Sequence, residues 1–273
     1  MSVIFDWQES EMLELLASCS VDEAWPLIEA YFPQGSRVLE AGCGAGRWLR
    51  FMTDRGYQMV GLEYKGETVD MVKRTWPDLD VIQGDCEASP FPADSFDGVL
   101  SFGVVEHWME GPEKPLADIF RVLKPGGVAF ISVPCQNTIR RFKKVLWVDE
   151  ILGAPRAIAK RILRSKKMPL SRLDRRYRFH MFPALGEFFE YRLTPEEFLG
   201  VIRAAGFEVL THQPVATFDG IYHDLNPFGL VVEWKGFKFR PTRLALWLHE
   251  TLKKKPFFHP HMQAVIVRKP VKP

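Results

Sequence analysis

Cysteine is scarce in this chain of 273 residues. Its four cysteines, Cys19, Cys43, Cys86 and Cys135, stand far apart and form no C-x-x-C pair. That excludes the common zinc and iron–sulfur spacings, so no metal site is expected. It also excludes a disulfide framework and fits a reducing compartment. No uninterrupted apolar stretch is long enough to span a bilayer. The opening residues, MSVIFDWQESEMLELL, hold acids where a secretory leader has an apolar stretch. These absences point to a cytoplasmic protein, with peripheral contact at the inner membrane surface left open. There is no G-x-x-x-x-G-K-[ST] loop, which argues against a P-loop ATPase. Net charge is nearly absent, at +2, but that balance conceals an asymmetry. Residues 138 to 179 hold 14 Lys or Arg against 3 Asp or Glu, while the remainder holds 22 against 31.

What is present is enough for a core. Apolar residues make up 47% of the chain and charged residues 26%, which suits one α/β domain with an insertion, or two small domains. Residues 8 to 31 read as helical, with a break near Ser20 and either Ser20 or Asp22 as a cap. RVLEA, residues 37 to 41, is a short apolar strand followed at once by Gly42-Cys43-Gly44-Ala45-Gly46 and a return to helical spacing. Further strands are expected at 58 to 63, 79 to 85, 96 to 103 and 127 to 134, with helices at 67 to 75 and 113 to 123. Lys124-Pro125-Gly126-Gly127 is a helix stop. Strands alternating with helices argue for a mostly parallel sheet covered on both faces.

The pattern breaks after residue 134. Residues 135 to 190 show no clear strand and read as an inserted basic helical cap between two core segments, 1 to 134 and 191 to 273. Thr194-Pro195-Glu196-Glu197 restarts regular structure with a cap threonine, a proline at the first helical position and an acid three residues after the cap. That helix should stop at Gly206. Strands follow at 207 to 213 and 263 to 269, a helix at 241 to 254, and an ambiguous segment at 229 to 234.

Gly42, Gly44 and Gly46 permit a tight turn and a close approach of backbone to a ligand. A dinucleotide-binding G-x-G-x-x-G counted from Gly42 would put its last glycine at Arg47, where a long side chain hinders helix–strand packing. The stretch Val38 to Gly46 instead resembles the first motif of class I S-adenosylmethionine-dependent methyltransferases. Glu63 ends the second strand, as the ribose-binding acid does there. Asp85, within Gln83-Gly84-Asp85-Cys86-Glu87, resembles the acid that meets the adenine amino group. Phe96-Asp97-Gly98-Val99 leading to Glu106-His107 resembles the fourth motif. Leu123 to Gly127 matches the usual turn before the fifth strand, and Tyr191 with Ala205-Gly206-Phe207 resembles the return to the core in small-molecule members.

That resemblance implies a Rossmann-like fold with a seven-stranded mixed sheet in the order 3-2-1-4-5-7-6. It implies S-adenosyl-L-methionine as cofactor and S-adenosyl-L-homocysteine as product. It places Glu40, Gly42, Cys43, Gly44, Gly46, Glu63, Tyr64, Asp85, Cys86, Ser101 and Phe102 around the cofactor. Glu63 offers two acceptor oxygens to the ribose hydroxyls. Asp85 accepts from the adenine amino group while the Cys86 N–H donates to a ring nitrogen. Val104 borders the methyl group. His107 is the candidate acceptor base, since histidine titrates near neutrality, or it orients its loop.

The basic insertion carries what the sequence says of the acceptor. Arg140 and Arg141 open it, and with Tyr191 they are candidate substrate contacts. Arg156, Lys160, Arg164 and Lys167 lie on one stripe, opposite Val148, Ile151, Ile158 and Ile162. A basic amphipathic segment of this kind suits a membrane surface or an anionic partner. Three acceptor readings stand: a lipid-like or anionic small molecule taken from a membrane, a soluble small molecule under a solvated cap, and RNA. The lack of a separate nucleic-acid module counts against RNA. A non-catalytic regulatory or scaffold protein that binds the cofactor is a further alternative.

Overall fold

A computed structural model describes residues 7–108, 110–145, 171–173, 178–182, 188–225, 232–235 and 238–271. The Arg156–Lys167 stripe and its apolar face lie outside these residues. The chain opens with α1 (Met12–Ser18), a 3-10 turn at Cys19–Val21 and α2 (Trp25–Tyr31). The break near Ser20 is therefore present. Asp22 Oδ1 accepts from the Ala24 N–H at 3.0 Å there.

Then come β1 (Arg37–Ala41), α3 (Arg47–Thr53), β2 (Gln58–Glu63), α4 (Gly66–Thr75), β3 (Asp80–Gln83) and β4 (Phe96–Phe102). α5 (Glu113–Val122) leads into β5 (Leu123–Pro134). α6 (Thr138–Val145) follows, then three short strands, β6 (Ser171–Leu173), β7 (Arg178–Phe182) and β8 (Phe188–Tyr191). α7 (Pro195–Ala204), β9 (Glu208–Val215) and α8 (Thr217–Leu225) come next. The chain ends with β10 (Val232–Lys235), β11 (Lys238–Pro241), α9 (Arg243–Leu252) and β12 (Met262–Arg268).

The main sheet has seven strands in the order β3-β2-β1-β4-β5-β12-β9. The short strands β6–β8 and β10–β11 form sheets of their own. Counting main-sheet strands alone, β9 is the sixth and β12 the seventh, so the order is 3-2-1-4-5-7-6. The last strand runs antiparallel to both neighbours, and the other pairs are parallel.

Strand residues alternate between two apolar layers, as the twofold repeat of a strand requires. Val38, Phe130 and Ile266 face the layer containing Met12, Ile28, Trp48 and Val72, on α1 to α4. Leu39, Ile131 and Val265 face the layer containing Leu116, Ile119, Phe198 and Ile202, on α5 and α7. Each such fully buried side chain contributes about 1.5–3 kcal/mol. Burial on both faces explains why these strands read as near-continuous apolar runs.

Three expectations need amendment. The helix stop at Lys124 to Gly127 is not a free turn. α5 ends at Val122, and the strand already begins at Leu123, paired with Phe96. The glycine pair is drawn into the sheet edge by bonds in both directions with Lys269, at 2.8 and 2.9 Å. Second, the insertion is not purely helical. It starts with the helix α6, but β6, β7 and β8 form an antiparallel sheet that pairs Ser171 with His180 and Phe179 with Tyr191. Third, the stretch between the strand at 207 to 213 and the ambiguous segment at 229 to 234, given no element above, holds α8, with His223 and Asp224 inside it. The ambiguous segment near 229 to 234 contributes β10, half of a hairpin with β11.

Candidate active site

The turn after β1 is fixed from behind. The N–H groups of Gly42 and Cys43 both donate to Leu62 O, at 2.8 and 3.0 Å, which ties the glycine turn to the end of β2. Gly42 has φ +75°, and a Cβ there would sit 2.6 Å from a Val104 methyl. Gly44 has φ +51°, and its Cβ would meet the Trp7 indole at 2.9 Å. Both positions thus require glycine for conformation and for space. Glu63 completes the turn: its Oε2 accepts from the Gly44 N–H at 3.0 Å and its Oε1 from the Lys65 N–H at 3.0 Å. Those two bonds set the carboxylate's direction and leave acceptor sites over for a ligand, since a carboxylate has about four. Asp85 Oδ1 accepts from the Glu87 N–H at 2.8 Å, which holds the side chain at the end of β3.

These groups surround a cavity of about 810 Å³, open mouth included, at the carboxyl ends of the parallel strands. That is where open α/β sheets bind ligands. Gly42, Gly44, Glu63, Tyr64, Asp85, Cys86, Phe102, Val104 and His107 line it. Gly103, at the end of the strand expected over 96 to 103, lines it too, as do Trp7 and Trp108, which went unnoticed in the sequence. Trp7 reaches the cavity from outside the β1–β5 unit, and no spacing rule connects it to the glycine turn. Trp108 follows His107 directly, so its adjacency was a usable signal.

The remaining expected residues lie elsewhere. Glu40, Cys43, Gly46 and Ser101 stand behind the cavity wall. Glu40 is 3% exposed, and burial pushes its carboxyl up to about 8, against the partial opposition of Arg47. Cys43 turns its sulfur under Gly61, and Gly46 sits against Val72 and Trp76. Ser101 is fully buried. Tyr191 is a core residue of the α5 face. Arg140 is placed differently from the expected substrate contact. Its guanidinium is buried, donates from Nε to Asp224 Oδ1 at 3.0 Å and from Nη1 to Cys135 O at 2.8 Å, and approaches His261 Nδ1 at 2.7 Å. A cation so engaged braces α6 against α8. Arg141 beside it is exposed.

The cysteines are not nucleophiles. Burial raises the thiols of Cys19 and Cys135 to about 12, and those of Cys43 and Cys86 are raised by the same cause. Thiols so held stay protonated. Glu106, 2% exposed, is also held well above the carboxylate range by burial, with Glu190 adding to the effect. Its Oε1 lies 3.8 Å from His107 Nε2. His107 therefore has a buried carboxyl group behind it and the cavity in front. No cluster of three or more metal-ligating side chains occurs among the described residues.

Comparison with known proteins agrees with this geometry. Residues 39–131 match the family described as "Methyltransferase domain". The matched segment runs from β1 to β5, which carry the cavity wall, and the seven-stranded fold is shared with solved S-adenosylmethionine-dependent methyltransferases. It is 38% identical over 104 residues to a probable S-adenosylmethionine-dependent methyltransferase of Mycolicibacterium smegmatis, covering 38% of this chain and 40% of that one. It is 36% identical over 128 residues to a demethylmenaquinone methyltransferase of Renibacterium salmoninarum, covering 46% and 53%. The chain thus matches about half or less of these relatives' lengths. The fold is also that of a Burkholderia thailandensis 1,6-didemethyltoxoflavin N1-methyltransferase solved with S-adenosylhomocysteine. That likeness has a TM-score of 0.54 and 16% identity, and it covers 98% of this chain and 94% of the other.

Proposed function

We propose that this protein transfers a methyl group from S-adenosylmethionine to a small-molecule or lipid-like acceptor. The observation that carries the reading is the single cavity wall on which the Gly42–Gly44 turn, the two carboxylates Glu63 and Asp85, and the Val104–Trp108 segment meet. When bound, the cofactor supplies a methyl group already activated by a sulfonium. The chain's own part is to bind, align and exclude water. The bare backbone of Gly42 and Gly44 admits the amino-acid end of the cofactor. Glu63 accepts from the ribose hydroxyls and Asp85 from the adenine amino group. Trp7 and Trp108 close the sides, and Val104 packs against Gly42 of the turn, where it would border the reacting end of the cofactor. The same wall would hold an acceptor oxygen, nitrogen or carbon in line with the methyl group that the cofactor would supply. Where the acceptor carries a proton, His107 is the group on the wall able to take it. The relatives' names support a small organic acceptor: demethylmenaquinone for one, a toxoflavin precursor for another.

Methyl transfer from isotope-labelled S-adenosylmethionine into host-cell extract, separated into lipid, small polar, protein and RNA fractions, tests the reading. Label in the lipid or small polar fraction is expected. Label confined to RNA or protein would replace the acceptor class. Absence of label from protein that binds the cofactor would point to a regulatory role.

A further inference from the structure

Three large apolar side chains project into solvent from one ten-residue helix. On α9, Leu244, Leu246 and Trp247 are 52%, 50% and 62% exposed. The helix does not need them for packing. Ala245 is fully buried, and Leu248 packs with Phe218, Ile221 and Tyr222 of α8. Helical spacing puts Ala245, Leu248 and Leu252 on one side and Arg243, Leu244, Trp247 and Thr251 on the other. α9 thus has a second apolar arc that the fold leaves uncovered. Cations frame it: Arg243 begins the helix, and Lys253, Lys254 and Lys255, all exposed, follow it directly. The one acid within the helix, Glu250, pairs with Lys253.

α6 adjoins the segment that follows α9. Its first N–H groups, on Thr138 and Ile139, donate to Phe257 O and Phe258 O, each at 3.1 Å, just beyond the lysines. It presents Arg141 and a 63% exposed Phe142. α6 follows Pro134, which pairs with Met262 at the start of β12. Both helices therefore lie at the end of the sheet that carries the cavity. A single exposed apolar residue needs no explanation, whereas a cluster rimmed by charge marks an interaction surface. Tryptophan with leucine, ringed by lysines whose stems lie along apolar surface, is the composition that suits a hydrocarbon–water boundary under anionic headgroups.

We propose that α9 and the start of α6 dock on an anionic lipid bilayer. Leu244, Leu246, Trp247 and Phe142 enter the headgroup layer, and Arg141, Arg243 and Lys253–Lys255 meet lipid phosphates. The proposal deepens the lipid-like acceptor reading and rests on it for purpose, because docking brings the cavity end of the sheet to the membrane. Docking itself is measured without turnover. The full chain is sedimented with phosphatidylcholine vesicles, with and without phosphatidylserine, at low and high salt. Partition into the phosphatidylserine vesicles, weakened by salt, is expected. The pair Leu244→Ser and Trp247→Ser should lower it about tenfold or more. Lys253→Gln, Lys254→Gln and Lys255→Gln together should do so roughly tenfold. Cofactor binding and melting temperature, unchanged in both variants, show that the fold is intact. Wild-type protein that stays in the supernatant overturns the proposal, as does partition indifferent to both variants. A dimer in solution that the serine pair makes monomeric, with no vesicle binding, would assign the face to a second copy. Failure of methyl transfer would leave the vesicle result standing, so the two readings fail separately.

Discussion

At the scale of single residues, a few carboxyl groups divide between the cavity wall and the interior. Glu63 and Asp85 stand on the cavity wall, each held by backbone N–H groups, whereas Glu40 and Glu106 are buried behind it. Glu63→Gln keeps an oxygen for the Gly44 N–H but cannot accept from two ribose hydroxyls as a carboxylate does. Its cofactor affinity should fall about tenfold, the worth of one charge-assisted hydrogen bond, as read by titration calorimetry. Glu40 makes a pH-dependent contribution of predictable sign. Its folded value is near 8 against an ordinary 4.5, so the folded state keeps a proton that the unfolded chain releases. Stability is fully present below the unfolded value and declines as pH rises toward 8, by up to about 1.4 kcal/mol per pH unit from this group. Glu40→Gln holds no such proton and should flatten that decline between pH 5 and 8 in melting-temperature profiles. The resemblance named Glu40 together with Glu63 and Asp85 as cofactor residues, and it could not separate them because burial depends on what packs over each strand.

At the scale of elements, local rules did most of the work where a segment decides its own structure. The Thr194 capping box is present as expected: the Glu197 N–H donates to Thr194 Oγ1 at 3.2 Å, and the Thr194 N–H donates to Glu197 Oε2 at 2.7 Å. Thr194→Ala should cost about 1 kcal/mol. That corresponds to a fall of about 2–4 °C in melting temperature, measurable by circular dichroism. Where pairing is remote, local rules gave less. β6 to β8 are three to five residues long and acquire strand character only by pairing with one another. Nothing in a basic, helix-compatible stretch announces that register. α8 was missed for a related reason. Gly220 and a polar His-Asp pair weaken its pattern, and the helix is supported by α9 and by backbone at His259, against which Gly220 packs.

At the scale of the whole molecule, a buried polar bracket joins parts distant in the chain. Asn137 Nδ2 and Arg140 Nε donate to the two oxygens of Asp224, at 2.8 and 3.0 Å, and Arg140 also reaches His261. The bracket links α6, α8 and the approach to β12, all at the cavity end of the sheet. Removing one partner strands the other charge in the interior. Arg140→Met should therefore cost about 3–5 kcal/mol in urea denaturation, while adding Asp224→Leu should restore most of it. A substrate contact would behave otherwise, losing acceptor affinity with little change in stability.

Through their resemblance to a known family the motifs implied the order of strands and the cofactor class, while the residues alone determined the place of the glycine turn and the acids at the ends of β2 and β3. Each of these is written in a contiguous motif whose local geometry follows from a few residues. Tertiary structure decided which of the motif's residues face the cavity, that Trp7 and Trp108 complete it, and that Arg140 serves as a buried brace. It also decided that α9 leaves an apolar arc uncovered. Those outcomes depend on packing between segments far apart in the chain, and burial is a property of the neighbours a side chain acquires.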